Sequence, residues 1–501
     1  MLSYVYRNKS FHQRGANIMT YKMPNFQMQI NENEKISPIG GALIIPAIFE
    51  KFDLRNVINK HIGARKDSGA IKYTDSSYIE SLVTMQIIGG DVVDDMYIIR
   101  EDGILSDMLG GIPSKTSIHN YLNNFVDNKE EEKRGQGKAF VPEPNEHLKG
   151  FDKVTQHLLE HAPHIKDIET ITLDQDDTFI STGVTGALYN YKSERSFEAF
   201  NTYCPEYDMI IRSEYRDGNV PPGYRQLENL KASLELLPKS VKHVRLRSDT
   251  AGYQIDTLKY CAEGMSEHFG VIEFAICSPV TQELKQAVKM TSESEWKRIP
   301  DTDQECAEVV FVPNSLCTSK KDREYRFIAT REEIRDTAQP ELRQLLLDLG
   351  EAVDNPIAKV HPTVMNGKLY KVFALVTNLD WSVEEVVLWQ RKRCGKSEEI
   401  HRVLKDEFAG GHVVTSALGA NAAWWHITVL AFNIVTLIKR LCLPNEFYTS
   451  RPKKLRYYFF SLVARIGSHA RRITITIYRS VQASLFIEGW KKLEALPVQI
   501  E

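Results

Sequence analysis

Between Pro38 and Phe125 the apolar positions recur at helical spacing and are cut into short pieces by glycine. IGGALIIPAIFEKF reads as a helix ending near Asp53. SSYIESLVTMQIIGG carries a cap candidate at Ser76 and a stop at Gly89-Gly90. DVVDDMYIIRED and ILSDMLGG read as two shorter helices, and PSKTSIHNYLNNF opens another, with Ile118, Leu122 and Phe125 on one face. Short helices joined by glycine turns suit a helix-turn-helix, and equally an all-helical packing domain. The first 38 residues show no period and read as a loosely held arm. This assigns residues 1–126 to a helical N-terminal DNA-binding domain and the charged, Gly- and Pro-containing stretch 127–150 to a linker.

From residue 151 the pattern changes. HLKGFDKVTQHLLEHAP is a helix that leads into ITLDQDDT, a strand whose apolar and β-branched residues run straight into carboxylates. Two β-rich segments follow (GALYNY, FNTYCPEYDMIIRSEYRDGN), then the helix GYRQLENLKASLELLP, the strand KHVRLRSD ending on Asp249, a helix through Tyr260, and the strand GVIEFAIC. This α/β order is that of a ribonuclease H-like core, with the first strand central and the strand after the helix beside it. Asp176 and Asp249 then meet at one edge. The core is expected over 151–278 and 369–440, interrupted at 279–368 by a β-rich insertion subdomain set apart from the sheet. LYKVFALVTN resumes the core. WSVEEVVLWQRKRCGKSEEIHRVLKDEF reads as one long helix, in which Gly395 costs about 1 kcal/mol. Ala422 to Ile438 is apolar but holds His426, Thr428 and Asn433, as a buried core helix does, so no membrane partner is expected. Residues 441–501 read as a basic, helical C-terminal region.

Charge matters locally. The 501 residues carry a formal net charge of only −3, which selects no partner, and the length suggests two to four domains. Between Lys439 and Arg479, however, ten Lys or Arg face one acid, Glu446, with Tyr457 to Phe460 interleaved. Arg451, Lys453, Lys454 and Arg456 become candidates for DNA phosphate contacts, against a solvated basic helix face. Seven scattered cysteines without a CxxC suit a reducing compartment, and the N-terminus lacks the apolar run of a signal peptide.

Three carboxylates crowd the end of the first core strand. Asp174 and Asp176 share one face and Asp177 takes the other. Like charges so placed repel unless a hard cation sits among them; a solvated turn is the plainer alternative. Glu398, Arg402 and Lys405 share a helix face and can serve a metal and a phosphate, or form ordinary surface ion pairs. His157 and His161 have a metal pair's spacing without the glutamate of a zinc-protease motif, and read as a polar helix face. Asp174-x-Asp176-x-Thr178 also fits the nucleophile motif of haloacid dehalogenase-like phosphatases, with Asp174 attacking.

LDQDDT, LRSDTAGY and WQRKRCGKSEEIHRVLK, in that order, resemble the DDE transposases of bacterial insertion sequences, in the group with a β-rich insertion between the second Asp and the Glu. The intervals are 73 residues from Asp176 to Asp249 and 149 from there to Glu398. Glu398 and Lys405 keep the family's Glu-x6-Lys spacing. Arg393 lies five residues before Glu398 instead of four, and Gln390 or Trp389 stands where the family has Tyr. The resemblance implies cut-and-paste DNA movement by strand cleavage and strand transfer. Asp176, Asp249 and Glu398 would be catalytic and would ligate two Mg2+ ions, replaceable by Mn2+, with Asp174 the alternative first ligand. Lys405 would bind a phosphate near the reacting one, and Arg393 and Arg402 would also face DNA. The implied partners are terminal inverted repeats, target DNA and a second copy of the chain on paired ends, in the bacterial cytoplasm at the nucleoid. A non-catalytic DNA-binding protein with a degenerate core is the remaining alternative.

Overall fold

A computed structural model describes residues 36–65, 72–317, 325–334, 362–469, 472–478 and 480–498. The expected N-terminal arm lies almost wholly outside them. The strands in chain order are β1 (Ile36–Ser37), β2 (Thr170–Ser181), β3 (Leu188–Tyr189), β4 (Arg195–Cys204), β5 (Met209–Asp217), β6 (His243–Ser248), β7 (Glu273–Ser278), β8 (Lys297–Arg298), β9 (Gln304–Val309), β10 (Arg326–Glu333), β11 (Pro362–Met365), β12 (Lys368–Thr377), β13 (Ala464–His469) and β14 (Arg472–Ile477).

Eleven of them, β2 to β12, form one mixed sheet. β5, β4 and β2 are antiparallel neighbours, β6 and β7 follow β2 in parallel, and β12, β10, β9 and β8 extend the sheet antiparallel. The parallel steps are made by crossovers through the helices Gln226–Leu234 and Ile255–Ala262. This corrects the expectation for 279–368. β8 to β11 are not set apart, because β12 pairs with β10 along one edge and with β7 and β11 along the other. The insertion's strands therefore prolong the core sheet.

The helix Leu418–Cys442 is long and apolar enough to span a membrane, yet 94% of its most apolar window is buried in the fold. Its polar residues explain why. Asn433 bonds both the N–H and the C=O of Ile210 on β5, Thr436 donates to Asp208 O, and Trp425 donates to Ser213 Oγ. A strand at the edge of a sheet has unpaired backbone groups, and Asn433 of this helix satisfies those of Ile210. The N-terminal helices Ile44–Lys51, Leu54–His61 and Asp75–Ile88 share its core. His157 and His161 bond backbone carbonyls of Phe52 and of His157 respectively.

Two further expectations change. Residues 127–150 are strapped down: Arg134 bonds both oxygens of buried Asp217, and Asn219 donates to the carbonyls of Gly135 and Lys138. The C-terminal region is not wholly helical. Its RITITI stretch alternates, forms β14 against β13, and β13 pairs with β1 from the other end of the chain.

Candidate active site

The site begins where two neighbouring strands end out of step. β2 pairs with β6 only as far as Gln175 opposite Ser248, but stays paired with β4 to Ser181. Beyond residue 175 one edge of β2 is therefore open. One more step along the parallel register brings Asp249 beside Asp176. Asp249 caps the short turn Thr250–Gly252, with Oδ1 accepting from Ala251 N at 2.9 Å. A side chain at 252 would strike Ser248 Oγ at 2.3 Å, so the small residue lets the chain turn here.

Asp174, Asp176 and Thr178 share a face of β2 and are served by successive cations. Arg247, opposite Asp174 in β6, makes a two-toothed pair with it at 2.7 Å for each bond, and passes its third contact to Trp389 O. Asp174 is 2% exposed and both its oxygens are engaged. This removes it as the alternative metal ligand, and equally as a phosphatase nucleophile, which must be reachable. Arg393 meets Asp176 Oδ1 at 2.7 Å and is itself buried. Its expected DNA contact is corrected accordingly: the guanidinium points into the fold. Burial lifts the Asp176 pKa to about 7, with Arg393 opposing and the charges of Asp249 and Asp177 reinforcing the rise. His401 Nδ1 lies 3.9 Å from Asp176 Oδ2, and burial, with Lys405 and Arg393 nearby, pushes the imidazole down to about 3. It is neutral at physiological pH.

The expected long helix is broken. Val383–Arg391 ends in a turn, Gly395 takes φ +76°, and Lys396–Arg402 starts afresh before a wider π-type turn, Val403–Glu407. Glycine alone adopts that φ readily, so the residue that looked tolerated inside a helix redirects the chain. Glu398 stands exposed on the second helix and no described contact joins it to Asp176 or Asp249. Glu399 pairs with Arg451 at 3.3 Å. Arg402 is exposed. Lys405 donates to Thr178 Oγ1 at 2.8 Å and to Phe179 O at 3.2 Å, beside the open edge of β2. Two of its three N–H donors are thus committed to the protein.

In the basic tail, Lys453 and Lys454 are exposed, and Arg451 is exposed but shared between Glu399 and Glu407. Arg456 is not available to a phosphate, since it is bonded to the carbonyls of Gln86, Ile87 and Glu407 and ties the tail to the N-terminal helices.

Behind the site lies a group that the sequence reading passed over. Asp177 turns to the other face, toward Glu198; Glu198 and Arg216 are directly opposed in β4 and β5, both fully buried and 3.0 Å apart. Burial raises Glu198 to about 8, against the pull of Arg216. The available signal was two opposite charges at inward positions of neighbouring β-rich segments, legible only once the hairpin register is known.

Among the described residues no group of three or more His, Cys, Asp or Glu is gathered tightly enough to hold a metal. The donors present nevertheless suit one. Mg2+ commonly takes one or two protein carboxylates and completes its shell with water and substrate phosphate. Asp176 and Asp249 offer that pair, and the Asp249 charge adds to the burial that lifts the Asp176 pKa.

No curated protein matches this chain. A solved piggyBac transposase synaptic complex with hairpin DNA is similar to it at 11% identity and a TM-score of 0.44, over 84% of this chain and 79% of that one. The family described as transposase DDE domain group 1, whose members generally use divalent metals, matches residues 24–498. The chain belongs to that family.

Proposed function

We propose that this protein is the transposase of a bacterial insertion sequence and moves it by cutting the element's ends and joining them to target DNA. The observation that carries this reading is the convergence of Asp176 and Asp249 at the uneven ends of β2 and β6. The strand order β5-β4-β2-β6-β7, with the parallel pairs in its second half, supports a ribonuclease H-like core. Asp176 and Asp249 would hold divalent metal, with Glu398 on the adjoining helix as the third carboxylate. Bound there, Mg2+ or Mn2+ would activate the attacking hydroxyl and stabilise the leaving oxygen at the scissile phosphate.

The chain's own residues do the rest. Arg393 holds Asp176 in place and offsets its charge. Lys405, anchored on Thr178 and Phe179, keeps one donor for a neighbouring phosphate. Arg402, Lys453 and Lys454 are exposed to track the backbone further out. Two ends must be held for one transposition, so a homodimer on paired ends is the working assembly. All seven cysteines are free, in keeping with a reducing bacterial cytoplasm.

The test is Asp249→Asn. It should retain DNA binding and abolish Mg2+-dependent cleavage of a labelled end; cleavage at the wild-type rate removes Asp249 from the site.

A further inference from the structure

Behind the helix that carries Glu398 lies a second concave and charged place. A cavity of about 280 Å³ opens between the helices Lys396–Arg402 and Leu418–Cys442, the turn after β4 and residues 448–452. This is close to the lower end of the roughly 300–1,000 Å³ that small-molecule sites occupy. Lys396, Glu399, Ile400 and Val403 line it, at spacings that share one helix face. Glu398, two residues after Lys396, points about 160° away from that lysine. The cavity is therefore separate from the Asp176–Asp249 site.

Its charge is lopsided. Four cations line it, Lys396, Lys439, Arg440 and Arg451, against two acids, Asp208 and Glu399. Glu399 is matched by Arg451. Asp208 is matched by Lys439, which donates to Oδ2 at 3.0 Å, while the Tyr203 hydroxyl donates to Oδ1 at 2.6 Å. Lys396 and Arg440 are left over. They stand 3.7 and 3.9 Å from the same carboxylate, too far to hydrogen-bond it. Burial pushes the Asp208 pKa up, yet the charges of Lys439 and Lys396 bring it below the ordinary carboxylate value. The Arg440 guanidinium is held 4.5 Å over the Tyr448 ring, and its Nε is buried without a hydrogen-bond partner among the described residues. A buried donor left unpaired is costly, and an anion brought in here relieves it.

The rest of the lining indicates what the anion is attached to. Ile400, Val403, Phe432 and Val435 give an apolar floor, and Thr449 and Ser450 add hydroxyls. Two surplus cations match the charge of a phosphate monoester, near −2 at neutral pH. The floor matches a small apolar group esterified to it. Lys439 is only 8% exposed, so these cations are recessed, and a duplex backbone reaches them less well than a small free molecule. We propose that this cavity binds a small soluble phosphate monoester, with the phosphate between Lys396 and Arg440 and the ester group on the apolar floor. Such a ligand ties the helix bearing Glu398 to Leu418–Cys442. The assignment stands on the cavity itself and does not depend on the transposase function given above.

The test is calorimetric titration of the full chain, without divalent metal and at constant ionic strength, with phenyl phosphate and with inorganic phosphate. Phenyl phosphate should bind at one site per chain, about tenfold or more tighter than inorganic phosphate, because only the ester reaches the floor. Lys396→Gln should weaken phenyl phosphate about tenfold or more, and Lys405→Gln, on the opposite helix face, should change it less than about twofold. Phenyl phosphate should also slow amide exchange over residues 396–403 and 436–442 of the wild type and leave 174–181 as before, which locates the ligand even where a variant fails to fold. No saturable binding of phenyl phosphate, inorganic phosphate bound as tightly, equal losses in the two variants, or protection at 174–181 overturns the pocket. A mixed-sequence duplex that loses affinity with Lys396→Gln as strongly as phenyl phosphate does also overturns it, and gives these cations to DNA.

Discussion

Two carboxylate–guanidinium pairs sit two residues apart on one face of β2, and they differ in every respect that matters for chemistry. Asp174 and Arg247 are closed on each other: both oxygens are bonded, both side chains are nearly inaccessible, and the guanidinium lies 5.0 Å over the Trp389 ring. Asp176 and Arg393 share one contact, the second oxygen of Asp176 faces a neutral histidine, and a like charge, Asp249, stands beside it. The first pair completes itself and can only support the fold. The second is left short of positive charge, which is the condition a hard cation would relieve. Identical chemistry becomes structure or site according to how much of it the surrounding chain has already satisfied.

The sharpest way to break the contrast is to remove the closed acid. Asp174→Ala leaves Arg247 buried and unpaired, and should cost about 3–5 kcal/mol of unfolding free energy. Urea denaturation measures it; a loss below about 1 kcal/mol would make the Asp174 pair ordinary.

The open acid should behave in the opposite sense. Folding raises the Asp176 pKa to about 7, from about 3.9 in the unfolded chain. The native state then binds the proton more tightly, so this group's contribution to stability is full below about pH 4 and falls as pH rises to about 7. Asp176→Asn has no proton to lose. Without divalent metal its stability should therefore gain on the wild type across that window, a trend that paired denaturation curves at successive pH values would reveal.

The tail repeats the contrast with cations. Arg456 is closed on three carbonyls, and Arg456→Gln should cost about 1.5–3 kcal/mol of stability without changing the salt dependence of DNA binding. Lys453 and Lys454 are open, and replacing both by Gln should flatten the slope of log K against log salt by up to about 1.8. An unchanged slope returns both lysines to a plain solvated face. The smallest effect belongs to the exposed Glu399–Arg451 pair: Glu399→Gln should cost less than about 1 kcal/mol and leave cleavage intact. Glu398→Gln should eliminate cleavage with little loss of stability. If Glu399→Gln is instead the inactive variant, the Glu398–Lys405 alignment is wrong by one residue.

Much of this was legible in local patterns. The alternation of ITLDQDDT put Asp174 and Asp176 on one face because side chains alternate in any strand. The polar residues inside Ala422–Ile438 marked a buried helix because each finds a partner in protein. What was not legible depends on distant partners. Nothing in the spacing of Asp174 and Asp176 says which one an arginine will close, since Arg247 and Arg393 arrive from β6 and from a turn far along the chain. Gly395 fits an amphipathic pattern, so its positive φ was invisible. RITITI found its place through β13, and β13 in turn pairs with Ile36–Ser37, a contact that no local window contains. The strands of 297–333 were recognised as β-rich, but their joining the core sheet was decided by the free edge of β12.

The most direct measurement is single-turnover cleavage of a labelled transposon end in Mg2+ by Asp176→Asn, with DNA binding followed in parallel. Loss of a metal-holding carboxylate should slow cleavage by more than about a thousandfold while binding persists. A variant that binds and cleaves at the wild-type rate would contradict the assignment of the open carboxylate as the centre of the site.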